Sequence, residues 1–193
     1  MKRIFLYGLV SSLLIIAGCH SSTTDSVKTA EKENNDNADS LRKKQSVTDS
    51  STAIPSKQDA DFIVKAASGG MLEVELGKLA QSHAARQGVK DFGALMVQDH
   101  SKGGEALLSL AMAKKVVLPD SVSNDQKKER NNLMKKHGLA FDRSYISLMV
   151  QDHKDDIAEF QHAARDRQTH RRDERRPRKP GDERPDPVLR SDG

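Results

Sequence analysis

The chain has 193 residues and a mass of 21.3 kDa, with 31% charged, 35% hydrophobic and 4% aromatic residues and a formal net charge of +4. A chain this polar has room for one modest domain plus segments outside any core, which excludes a multi-span membrane protein. The lone cysteine, Cys19, excludes an internal disulfide framework, a Cys-rich zinc site and an iron–sulfur cluster, and leaves anchoring as its use.

Met1-Lys2-Arg3 is a short positive region ahead of an apolar run of 13 residues, Ile4 to Ile16, too short to span a bilayer and suited to a secretory signal. The run ends in Ile16-Ala17-Gly18-Cys19, which resembles the bacterial lipobox. That resemblance implies removal of residues 1–18, attachment of a diacylglycerol to the Cys19 thiol and acylation of the same residue by a further fatty chain such as palmitate. At roughly 0.8 kcal/mol per buried methylene, such chains hold a protein at a membrane. His20 stands where enteric lipoproteins retained at the inner membrane carry Asp, which points to the outer membrane, facing the periplasm. After Cys19, residues 20–57 contain seven apolar side chains in 38, so segment 19–57 is predicted to be a disordered tether reaching on the order of 35 Å.

Between residues 58 and 165 the pattern turns helical, with Pro119 as the sole proline. Ser56 or Asp59 caps a predicted helix from about Ala60 to Arg86, with Phe62, Ile63, Ala66, Leu76, Ala80 and Ala84 on its apolar stripe. A second helix, about Val89 to Val117, shows Val89, Phe92, Met96, Leu107, Leu110 and Ala111, and Leu118-Pro119-Asp120 stops it. Ser123 and Gln126 predict a capping box for a shorter helix ending at His137-Gly138. The last helix, about Ala140 to Arg165, turns Phe141, Tyr145, Ile146, Met149, Ile157, Phe160 and Ala164 inward. Short links between long amphipathic helices make antiparallel neighbours, hence an all-α bundle.

The hexapeptide Leu95-Met96-Val97-Gln98-Asp99-His100 recurs as Leu148-Met149-Val150-Gln151-Asp152-His153, which suggests an ancient helix-hairpin duplication. Together with Asp61-Phe62, Gly70 to Gly77, Val89-Lys90-Asp91-Phe92, Leu118-Pro119 and Phe141-Asp142, these motifs resemble the bacterial family called domain of unknown function 4142, often described as predicted outer-membrane protein. The resemblance covers about residues 59–164. It implies a ferritin-like antiparallel helical bundle in the cell envelope and no particular reaction.

Where that family continues with a fourth amphipathic helix, this chain reads Arg165-Asp166-Arg167-Gln168-Thr169-His170-Arg171-Arg172 and then holds four of its six prolines. Residues 166–193 are predicted to be a disordered, basic, proline-rich tail, so the bundle lacks a regular fourth helix. The leading explanation is a shifted reading frame near residue 165, which translation of the other two frames would expose. The other is a real tail, with the missing wall supplied by self-association through the face left open. From Arg165 onward, ten Lys or Arg stand against seven Asp or Glu, so the net positive charge lies mostly in the tail and predicts no nucleic-acid partner.

Glu73 falls near the middle of the first stripe, Asp99 and His100 straddle the second, and Asp152, His153 and Asp156 straddle the last. Carboxylates and imidazoles from several helices are what a bundle needs to hold iron, manganese, zinc or copper. Against a di-iron centre, adjacent Asp and His point about 100° apart. The favoured reading is a buried polar layer in which each His donates to a carboxylate on a neighbouring helix and fixes register. Gly69-Gly70 and Gly103-Gly104 are expected to permit close helix approach, His83 and His137 to be solvated or to cap helix ends, and Met71, Met96, Met112, Met134 and Met149 to fill the core. No cofactor and no catalytic residue is therefore expected. The chain reads as a non-enzymatic, lipid-anchored envelope protein with a structural, stress-related or partner-binding role. The alternative is a ferritin-like metal or redox protein using Glu73, Asp99, His100, Asp152, His153 and Asp156.

Overall fold

The computed structural model describes residues 24–45 and 54–174, which form five helices. These are α1 (Ser26–Gln45), α2 (Lys57–His83), α3 (Gln87–Lys114), α4 (Asn124–Met134) and α5 (Gly138–Glu174). Among the described residues there is no strand, only an isolated bridge between Ala84 and Gly138, so the chain is an all-α helical bundle. The expected leader, Cys19, the start of the tether and residues 175–193 lie outside the described residues.

Everything packs on α2. From Ala60 to Ala80 only Lys65 and Lys78 are exposed, as befits a helix that is apolar or small on nearly every side. Ser56 caps its start by accepting from the Asp59 N–H at 3.0 Å. A three-residue link, 84–86, turns the chain back into α3, which runs antiparallel along α2. The closest approach is at Gly77 and Gly93: a Cβ on Gly77 would lie 2.6 Å from the Gly93 carbonyl oxygen, and one on Gly93 would lie 2.6 Å from the Ala80 Cβ. The glycine pairs expected to serve this purpose do not. Gly70, Gly103 and Gly104 have no atom within 4 Å of such a Cβ, because the helices are not in contact there.

α5 packs on the other flank of α2, and Phe141, Tyr145 and Met149 join Leu72, Leu76, Ala80 and Met96 in one core cluster. Ile63, Val64, Ala111 and Val116 form a second cluster toward the opposite end. α4 is fastened rather than buried. Its Ser123–Gln126 capping box is formed, the Ser68 hydroxyl of α2 bonds the Gln126 side chain, and Arg130 pairs with Glu75 at 2.6 Å. The stripe predicted on α5 is wider than the contact it makes. Ile146, Ile157 and Phe160 are exposed, as is Leu110 on α3, because no further long helix covers them among the described residues. Met112 and Met134 are likewise exposed rather than core filler.

Two segments expected to be disordered are helical. Residues 26–45 form α1 although apolar side chains are few, because those few recur at helical spacing: Val27, Ala30, Ala38 and Leu41, with Asn34 in the same row. Ala30 is buried in the second cluster. Asn34 donates to the Val117 carbonyl at 2.9 Å and accepts from the Val117 N–H at 2.7 Å, so one amide replaces the ladder that α3 has just lost. Asp25 caps α1 through the Val27 N–H and accepts from the Asn124 N–H at the start of α4. At the other end, α5 continues past residue 165 to Glu174, since no proline occurs before Pro177 and Arg167 reaches Asp59 at 3.0 Å.

Gly93→Ala should destabilise the chain by about 1–3 kcal/mol through overpacking against α2. Gly103→Ala, in open space, should stabilise it by about 0.5–1 kcal/mol through helix propensity. Urea unfolding of both variants checks the pair, and equal responses would refute the close crossing.

Candidate functional site

The two hexapeptide copies bring the same face to the same place. Met96 and Met149 are both buried against α2, which turns the histidine four residues beyond each of them toward a shared neighbour. That neighbour is Glu73, in the middle of α2 and 1% exposed. His100 Nδ1 lies 2.5 Å from Glu73 Oε2, and His153 Nδ1 lies 3.4 Å from Glu73 Oε1. The two imidazole rings meet edge to face with centroids 5.8 Å apart. Three helices thus contribute one side chain each, with Glu73 as the floor and two half-exposed imidazoles as the rim.

The hydrogen bonds are unequal. His100 donates directly to the carboxylate, and this bond holds its imidazole above the usual histidine range against the opposing effect of burial. His153 Nδ1 bonds the Met149 carbonyl at 2.9 Å, so its approach to Glu73 is too long and misaligned to count as a hydrogen bond. Glu73 Oε1 is therefore buried without a donor. The expected polar layer is present for His100 and incomplete for His153.

Of the other residues anticipated, Asp152 and Asp156 stand beside the cluster and Asp99 does not. Asp99 is exposed, because the helical step that brings His100 to Glu73 turns its neighbour to solvent. Asp152 is partly buried with Oδ2 lacking a partner, and burial, aided by the negative charges of Glu73, Asp156 and Glu129, pushes it up to about 7. Asp156 is raised as well, by burial first and then by Glu73. Tyr145, fully buried with its hydroxyl unbonded, is pushed up to about 12 by burial and by Glu73. Nothing in helical periodicity distinguished Tyr145 from an ordinary core residue.

Glu73, His100 and His153 each offer a ligand atom within 4.8 Å of the other two. This is one carboxylate and two imidazoles, so the paired carboxylate set of a ferritin-like di-metal centre does not fit. An open groove of about 910 Å³ runs from the cluster between α2 and α3 to the 118–121 link, with Leu107, Leu108 and Phe160 on its walls. His83 and His137 lie elsewhere, at the turn end of the bundle. Their rings stack at 4.4 Å, with His137 exposed to solvent and His83 partly so. There Asp142, a residue given no role from the sequence, accepts from the Ala85 and Arg86 N–H groups at 2.9 and 3.1 Å and ties the α2–α3 link to α5.

The family described as a domain of unknown function, DUF4142, matches residues 43–171. The match takes in most of the chain, including the end of α1 and the continuation of α5, and the chain belongs to this family. No curated protein and no solved structure matches it.

An acid whose folded pKa stands above its unfolded value favours folding below the unfolded value and loses that contribution as pH rises through the folded one. For Asp152 this window runs from 3.8 to about 7. Chelator-treated protein should therefore lose thermal stability across that window. Asp152→Asn should flatten the slope and raise Tm at pH 8 by about 2–4 °C, the effect of about 1 kcal/mol in a chain of this size. A Tm unchanged or lowered at pH 8 would show that the carboxylate is not strained.

Proposed function

We propose that this member of the DUF4142 family is a lipid-anchored, non-enzymatic protein of the bacterial envelope, held at the periplasmic face of the outer membrane through Cys19 and working by association with a second copy of itself. The observation that carries this reading is the apolar row left uncovered on α5. Leu139, Ile146, Val150, Ile157 and Phe160 are all exposed, by 39–58%. They fall into two rows at heptad positions, Leu139-Ile146-Phe160, with His153 at the position between the last two, and Val150-Ile157, the spacing of a helix–helix seam. A contiguous apolar patch in water marks an interface.

The chain does not hold the covering segment in its C-terminal remainder. Residues 175–193 carry Val188 and Leu189 as their large apolar side chains, too few for a core face. A second copy presents the same row, and a twofold arrangement pairs it with itself. The anchor is supported by the basic start, the apolar run and the Ala17-Gly18-Cys19 sequence. No helix among the described residues is long and apolar enough to cross a membrane, so in this reading attachment rests on the lipid. The second reading, a metal or redox protein, draws support from one feature, the Glu73–His100–His153 cluster.

Light scattering of the eluting chain should give twice the mass of one copy. Ile146→Glu and Ile157→Glu together should return it to one copy without loss of helical circular dichroism. A wild-type monomer at the highest attainable concentration would sink self-association, as would an apolar-periodic helix encoded in another frame past residue 165, which would assign the face to the chain itself. Mass spectrometry of the natural protein should find Cys19 as an acylated N-terminus, and Cys19→Ala should leave the protein in the soluble fraction.

A further inference from the structure

We propose that Glu73, His100 and His153 form a binding site for a single divalent transition metal ion, reached between α3 and α5. Four observations converge on it, none of which depends on self-association. The ligand atoms come from three separate helices and lie within 4.8 Å of one another, a span that closes on one ion with side-chain adjustment alone. Metal–ligand distances of about 2.0–2.2 Å place such atoms roughly 3–3.5 Å apart. Glu73 is 1% exposed and its Oε1 has no donor, so a buried carboxylate oxygen faces the cluster with nothing to bond. Buried polar oxygens without partners are rare, and a cation supplies what the fold does not.

The third observation is the orientation of His153. A carbonyl only accepts, so the 2.9 Å contact with Met149 places the proton on Nδ1 and leaves the Nε2 lone pair for a metal. A ligating imidazole whose other nitrogen donates to a backbone carbonyl is the arrangement that fixes tautomer and ring direction in metal sites. Fourth, α3 and α5 flank α2 with little backbone contact between them, so both imidazoles keep an open side, 26% and 40% exposed. Three protein ligands with an open side leave room for water or a small molecule on the ion.

The donor chemistry selects the class of ion. Two imidazoles and one carboxylate suit zinc, iron, manganese, nickel or copper, whereas calcium and magnesium prefer oxygen donors throughout. In the metal-free chain His100 donates to Glu73 across 2.5 Å, and the ion takes the place of that hydrogen bond. Asp156 adds negative charge near His100.

Chelator-treated full-length chain titrated with zinc chloride should bind one ion per chain by calorimetry and retain it through dialysis by elemental analysis. His100→Ala, His153→Ala and Glu73→Gln should each weaken binding at least about tenfold. His162→Ala, exposed and outside the cluster, should bind as wild type. Cobalt in place of zinc should give a visible absorption band that His153→Ala abolishes, a readout that a purely structural histidine would not move. If Glu73→Gln fails to fold, the two rim histidines carry the test. No retained zinc, or undiminished binding by folded His100→Ala and His153→Ala, would overturn the site. A zinc-binding monomer would sink only the self-association reading, and a dimer that binds no zinc only this one.

Discussion

A carboxylate buried in the middle of a helix is the constraint on which this bundle turns. Glu73 is enclosed on α2 by the very helices that must provide its partners, and an unpaired charge in such a place costs several kcal/mol. The requirement fixes the rotation of both α3 and α5 about their axes, because each must present a histidine at the level of Glu73. Slipping either helix by one residue would bring an aspartate there in one direction, and Ser101 or Lys154 in the other. The repeated Gln-Asp-His thus acts as a pair of register marks, read against a single acidic residue on the central helix.

The same economy governs the ends of the helices. With 4% aromatic residues the chain has little bulk to bury, and it closes its ends with individual polar side chains reaching between elements. Asp142 ties the α2–α3 link to α5, Asp25 serves α1 and α4 together, and Asn34 completes the backbone at Val117. Each answers backbone groups that a helix terminus leaves unpaired, for a net contribution on the order of 1 kcal/mol apiece. The tight Gly77–Gly93 crossing works to the same end, letting two main chains approach where larger side chains would hold them apart.

Three helices enclose Glu73, and of the cluster only the two histidines are reached by solvent. The incomplete wall that exposes Ile146, Ile157 and Phe160 also leaves the His100 and His153 rims within reach of solvent. The uncovered row and the polar cluster are therefore two consequences of one architecture. α1 does not close the gap, because it packs at the far end of the α2–α3 hairpin, on Ala60, Ile63 and Val116.

Amino-acid order by itself determined the helical class, the approximate extents of α2 to α4 and the start of α5, the capping box of α4 and the candidacy of Glu73, His100 and His153, since periodicity and capping are local properties of a few neighbouring residues. It also carried the row in α1, which a count of apolar residues concealed and their spacing displayed. Only the tertiary structure decided that Asp99 leaves the cluster while Asp152 stays beside it. Two identical hexapeptides meet different neighbours: α4 lies beside one and water beside the other. It alone selected Gly77 and Gly93 over the adjacent glycine pairs, and it alone gave Asp142 its role. Close approach, burial and the pairing of distant backbone groups arise between segments far apart in the chain, and no local pattern encodes which distant partner a residue will meet.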